Sequence, residues 1–109
     1  MAATYKVLGQ SAPSATTATT LYTVPSSTSS IVSTITVCNR DTASGTFRIA
    51  IRPSGASLAN QHYIVFDSAI APNDTVTFTL GITLATTDVI TVYASSANMT
   101  FNAFGSELT

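Results

Sequence analysis

His62 and Cys38 are the only histidine and the only cysteine in the chain. They are therefore the one thiol–imidazole pair from which this composition could build an activated nucleophile. No local signature surrounds either residue, and the pattern fits a strand histidine and a small buried thiol equally well. General acid–base chemistry needs two titratable groups close together, or one with a supporting partner. The acids present are Asp41, Asp67, Asp74, Asp88 and Glu107. Each aspartate adjoins a turn or a strand end, where a short carboxylate is expected to bond its own backbone. No Cys/His spacing of the zinc-finger kind and no Asp-rich calcium loop occurs. The five glycines are scattered and form no phosphate cradle. The expectation is a non-enzymatic protein with no catalytic residue, cofactor or metal ligand.

The remaining constellation is basic. Arg40, Arg48 and Arg52 are three of the four basic residues, and they fall within thirteen positions. Arg48 and Arg52 share one face of a strand, about 13 Å apart at strand rise. Two readings stay open. The arginines contact carboxylates on a neighbouring protein, or they pair internally with Asp67 or Glu107 and keep that face soluble. Tyr5 and Lys6, near the N-terminus, join them as expected partner-binding residues. A glycan site of the flat aromatic kind is not expected, because the chain has no Trp and only four Tyr.

The elements that must position these residues are strands. Thr46 to Arg52 alternates with period two, placing Phe47, Ile49 and Ile51 on one side and Arg48, Ala50 and Arg52 on the other. Thr75 to Leu80 alternates perfectly, with threonine outward. Val89 to Ala94 and Met99 to Phe104 are more apolar and read as strands covered on both faces. Thr4 to Leu8, Leu21 to Val24, Ile31 to Cys38 and Gln61 to Phe66 complete about eight strands. Turn signals fall between them at Asn39–Thr42, Pro53–Gly55 and Ala71–Asp74. This predicts an all-β fold, an antiparallel β-sandwich or jelly-roll-like domain spanning 1–109. The Ser/Thr/Ala-rich stretch 10–20 reads as a long loop or flexible arm.

Composition excludes several functions. Only 8% of residues are charged and the net charge is −1, so neither nucleic acid nor an anionic membrane is an expected partner. No apolar run approaches a membrane span, and Met1 to Lys6 has no apolar leader core, which predicts synthesis in a cytoplasm. Ser and Thr make up nearly a third of the chain. With one lysine in all, the edge strands lack the charges that usually protect them. Either loops or another subunit must cover them, and assembly into a homo-oligomer is the favoured reading.

Several segments together resemble small virion structural proteins of tailed bacteriophages. They are Leu21 to Ser26 (LYTVPS), Ile31 to Asn39 (IVSTITVCN), Phe47 to Pro53 (FRIAIRP), Asn60 to Tyr63 (NQHY), Thr79 to Thr83 (TLGIT) and Phe104 to Glu107 (FGSE). The resemblance covers most of the chain from residue 20 onwards and transfers no site residues. It implies a particle component located in the virion, a capsid decoration or cement protein that binds the outer shell and bridges capsomers. The implied partners are the major capsid protein or another virion protein, with a trimer as the favoured oligomer, since shells offer local threefold positions. The alternative is a tail, baseplate or fibre-attachment module that binds a receptor or partner.

Overall fold

The computed structural model describes residues 2–109. Nine antiparallel strands form two sheets. The first contains β1 (Ala3–Ser11), β9 (Met99–Leu108), β3 (Ser29–Asn39) and β6 (Thr75–Phe78) in that order. A three-residue β7 (Ile82–Leu84) also pairs with β3. The second is β2 (Thr19–Thr23), β8 (Val89–Ala94), β4 (Gly45–Arg52) and β5 (Tyr63–Ile70). Both β6 and β7 lie against β3, so they act as one strand broken at residues 79–81, where Gly81 takes φ +64°. Counted that way, eight strands wrap between the sheets in jelly-roll order; the alternation predicts a sandwich or jelly roll but not its strand order.

The core explains the alternation. Phe47, Ile49 and Val92 of the second sheet face Val32, Ile35, Val37, Phe101 and Met99 of the first, all essentially inaccessible to solvent. The Phe47 ring meets Phe101 and Phe78 edge-on, with centroids 6.2 and 5.9 Å apart. Burying a side chain of this size contributes about 1.5–3 kcal/mol, so these few residues carry much of the stability.

Several sequence boundaries move, and β5 and β9 run on to Ile70 and Leu108, past the expected ends at Phe66 and Phe104. The loop expected at 10–20 shortens to 12–18, because β1 runs on to Ser11 and β2 begins at Thr19. That loop is held down by buried Pro13 and by the Thr16 N–H donating to the Ala94 carbonyl at 2.8 Å. The strand expected from Gln61 starts at Tyr63, because Asn60–His62 closes a 3-10 turn. The strand expected from Thr75 to Leu80 stops at Phe78, and β7 resumes in the same direction after the break at Gly81.

The edges are protected by geometry rather than by lysine. The edge strands β2, β6 and β7 are short. Register shifts interrupt β1 between Val7 and Gly9, β2 between Thr20 and Tyr22, and the β4–β5 pairing at two places. Short, bulged edges offer no long ladder to a passing strand. The bulges thus supply the protection that charge does not, a device the expectation of loops or a subunit did not include.

Buried polar groups are satisfied locally. Asn39, wholly buried, donates to the Ala43 and Ala71 carbonyls at 3.0 and 3.2 Å and accepts the Asp41 N–H, tying two neighbouring turns together. Asp88 accepts the N–H groups of Ala85 and Ser54, joining the β7–β8 turn to the segment after β4. Asp41 and Asp74 likewise accept N–H groups of the residues that follow them. Asn98 and the Thr42 and Ala43 N–H groups hold the Asp41 carboxyl below the usual carboxylate range.

Candidate binding platform on the second sheet

Arg48 faces outward on β4 because Phe47 and Ile49 face the core. Across the strand pair its register neighbour on β8 is Tyr93, and its guanidinium carbon lies 4.3 Å from the centre of that ring. On the β5 side the ladder slips. Phe47 pairs with Ser68 and Ile49 with Val65, so Phe66 and Asp67 together oppose Arg48. This is a β-bulge, and its effect is to aim two side chains at one. Phe66 stacks on the guanidinium, again at 4.3 Å. Asp67 accepts from Nε at 2.6 Å and from Nη2 at 3.2 Å, a two-pronged pair.

The bulge has a conformational cost. Asp67 sits at φ +51°, a region that aspartate tolerates better than most residues but that stores strain. A second slip, between Ile49 and Ala50, sets Tyr63 opposite Ala50. Its ring meets Phe66 edge-on with centroids 4.9 Å apart. Arg48 is thus gripped between two aromatic faces and a carboxylate. Its proton is held more firmly than usual, chiefly by the bond to Asp67, and the Asp67 carboxyl is lowered by the same bond. Phe66 remains 58% exposed. Asn60, Tyr63 and Phe66 border a shallow depression of about 400 Å³ beside it.

The five expected partner-binding residues do not converge. Arg52 lies further along β4, but its guanidinium is spent on the chain itself. It donates to the Ala56 and Gly55 carbonyls at 2.7 and 3.1 Å and to the Thr91 hydroxyl at 3.2 Å. Arg52 therefore holds the loop after β4 and presents no free fork to a neighbour. Arg40 stands past the end of β3, where it reaches the Ala97 carbonyl at 3.4 Å. Tyr5 and Lys6 belong to the first sheet. Of the internal pairs considered, Arg48–Asp67 forms, whereas Glu107 takes Lys6 at 2.9 Å and no arginine.

Glu107 also anchors a small network between the sheets. The Tyr22 hydroxyl donates to its Oε2 at 2.5 Å and shares a 2.7 Å hydrogen bond with the Ser30 hydroxyl. Burial, and then the Glu107 carboxylate, push the Tyr22 hydroxyl up to about 12. Donation from Tyr22, and then from Lys6, lowers Glu107.

Cys38 and His62 do not meet. Cys38 alternates outward from β3 in the first sheet, between the buried Val37 and Asn39. His62 is buried in the turn before β5 of the second, where its Nδ1 accepts the Ala59 N–H at 3.1 Å. Among the described residues, no three His, Cys, Asp or Glu side chains gather as a metal site.

Sequence reasoning found Arg48 but missed Tyr63, Phe66 and Tyr93 as its companions. Tyr93 was reachable, being the outward residue of the most regular strand. Phe66 and Asp67 were not, because a bulge shifts side-chain parity without a local sequence signal. Compared with known proteins, the chain matches no family model, no curated protein and no solved structure, so the resemblance to phage virion proteins rests on the sequence pattern alone.

Proposed function

We propose that the chain is a non-enzymatic structural protein of a tailed-phage virion, a capsid decoration or cement protein that docks on the outer shell through the Arg48 platform. The observation that carries this reading is the platform itself. Arginine, tyrosine and other aromatic residues dominate the energetic centres of protein interfaces. Here one arginine and three aromatic rings are locked together on an open sheet face before any partner arrives. A locked cluster loses little side-chain freedom on binding, which favours affinity. The surrounding surface is rich in Thr and Ser and poor in charge, and suits close seating against another protein with few ions to desolvate.

The resemblance supplies the kind of partner, a major capsid protein or another virion protein. Co-sedimentation of the purified protein with capsids stripped of it, beside isolated tails, tests the reading. Saturable binding to capsids is expected, weakened about tenfold or more by Phe66→Ala, as for the loss of a central interface residue. Binding only to tails would transfer the protein to the tail or fibre-attachment alternative. Binding to neither would overturn the virion reading.

A further inference from the structure

The outer face of the first sheet is chemically unlike the platform. The strands of that sheet carry only two ionic residues, Lys6 and Glu107. These bond each other, and Glu107 reaches Tyr22 of the opposite sheet. Among the described residues, the outward face is therefore left to threonine, serine, asparagine, glutamine and Cys38 around one apolar group. That group is Tyr5 and Val7 on β1, Ile31 on β3 and Phe104 on β9. Tyr5 is 85% exposed, and Val7 and Ile31 are also exposed.

The same four residues, with Lys6, Ser33 and Ser106, border a hollow of about 590 Å³. Its shape depends on a close approach of the backbone. Gly105 also borders it, and a Cβ there would sit 2.0 Å from the Ile31 carbonyl oxygen. The face thus presents a protruding ring, Tyr5, immediately beside an apolar hollow.

We propose that this face seats a second copy of the chain, with Tyr5 of each copy entering the hollow of the other. A twofold interface uses one patch twice, so the patch must complement itself. A knob and a hollow side by side meet that requirement. Charge points to the same occupant. A charged partner would have to bury its ions against a surface whose one charged lining residue, Lys6, is already paired with Glu107, at a cost that a second copy avoids. Size is adequate. Four strand positions about 4.8 Å apart and about eight residues long give on the order of 500 Å² in plan, and more as accessible surface. That is the scale of the roughly 800 Å² each partner contributes to a standard interface. The bulged edges direct association to the face rather than to edge pairing. This inference is independent of the virion reading.

Sedimentation equilibrium of the purified protein across about 1 to 100 µM, the range in which even a modest standard-size interface associates, tests it. The expected result is the mass of two copies. The double variant Tyr5→Arg/Ile31→Lys should have the mass of one copy, with circular dichroism unchanged and a melting temperature that no longer depends on protein concentration. Phe66→Ala, on the other sheet, should remain paired. Should the double variant not fold, Tyr5→Arg alone alters a side chain already in solvent and should weaken pairing about tenfold or more. A single-copy mass for the unaltered protein throughout the range would overturn the proposal. So would a folded Tyr5→Arg variant that pairs as well as the parent. A monomeric parent whose capsid binding is lost on Tyr5→Arg/Ile31→Lys would assign the face to a different protein, and would equally overturn it.

Discussion

The two outer faces of this sandwich draw on the same Thr-rich alphabet and differ in how they treat charge and curvature. On the second sheet, two register slips in the β4–β5 pairing swing Phe66, Asp67 and Tyr63 towards Arg48 and raise a rigid, charged, aromatic boss. On the first sheet the ionic residues turn away, and the surface is flat, uncharged and hollowed beside Tyr5. The difference teaches that a register slip shapes a sheet face through the side chains it brings together. Both sheets carry slips, but those of the second gather Phe66 and Asp67 around an outward arginine, whereas those of the first have no outward arginine to gather around.

The strongest way to break the comparison is to spoil the first face from within. Gly105→Val places a branched side chain where even a Cβ would overlap the Ile31 carbonyl. Forced overlap with backbone costs about 3 kcal/mol or more, so urea denaturation should show a much lower midpoint or an unfolded chain.

Next in size is the network that joins the faces through the interior. Glu107 is lowered by Tyr22 and Lys6, so its contribution is present above the unfolded carboxyl value of 4.5 and is lost as pH falls through the folded one. Tyr22 is raised from 10.0 to about 12, so its contribution holds below pH 10 and is lost as pH rises towards 12. Melting temperature against pH should show a plateau between these limits. Tyr22→Phe should flatten the alkaline arm and Glu107→Gln the part of the acid arm that Glu107 supplies. An alkaline arm as steep in Tyr22→Phe as in the parent would refute the assignment.

A smaller effect is expected at the boss. Arg48→Lys keeps the charge but loses the planar fork and much of the stacking. It should lower the melting temperature by about 2–5 °C and loosen Phe66 and Tyr63. The same change should weaken capsid binding while leaving the proposed self-pairing intact. The smallest effect should come from Asp67→Gly, which relieves the φ +51° strain while removing the ion pair. Near-neutral stability, measured by urea denaturation, is the expected sum.

Part of this was legible in the residues. Thr46 to Arg52 announces a strand with one buried face because Phe47, Ile49 and Ile51 recur at period two, and the same logic placed β8 within its true bounds. The fold class followed from several such runs and the turns between them. What stayed hidden depends on partners that the alternation does not name. Nothing near Phe66 or Asp67 signals the bulge, since it exists only in relation to β4. Arg52 reads like Arg48 by spacing, yet its fate is set by the carbonyls of Gly55 and Ala56, four residues away or fewer. Tyr5 and Lys6, adjacent in sequence, separate because alternate residues of a strand leave on opposite sides.

The position of β9 has a consequence for how the molecule comes into being. It lies between β1 and β3, making ladders with both, yet it leaves the ribosome after every other strand. Until then β1 and β3 have no strand to join them, and pairs such as Thr4 with Glu107 close a loop of nearly the whole chain. Closing so long a loop is slow compared with forming the local hairpins. The second sheet, which needs nothing beyond β8, has its strands ready earlier. The uncharged face therefore comes into existence last, as β9 slots into place, and until then the facing edges of β1 and β3 stand unpaired, the stage at which the chain is most open to association.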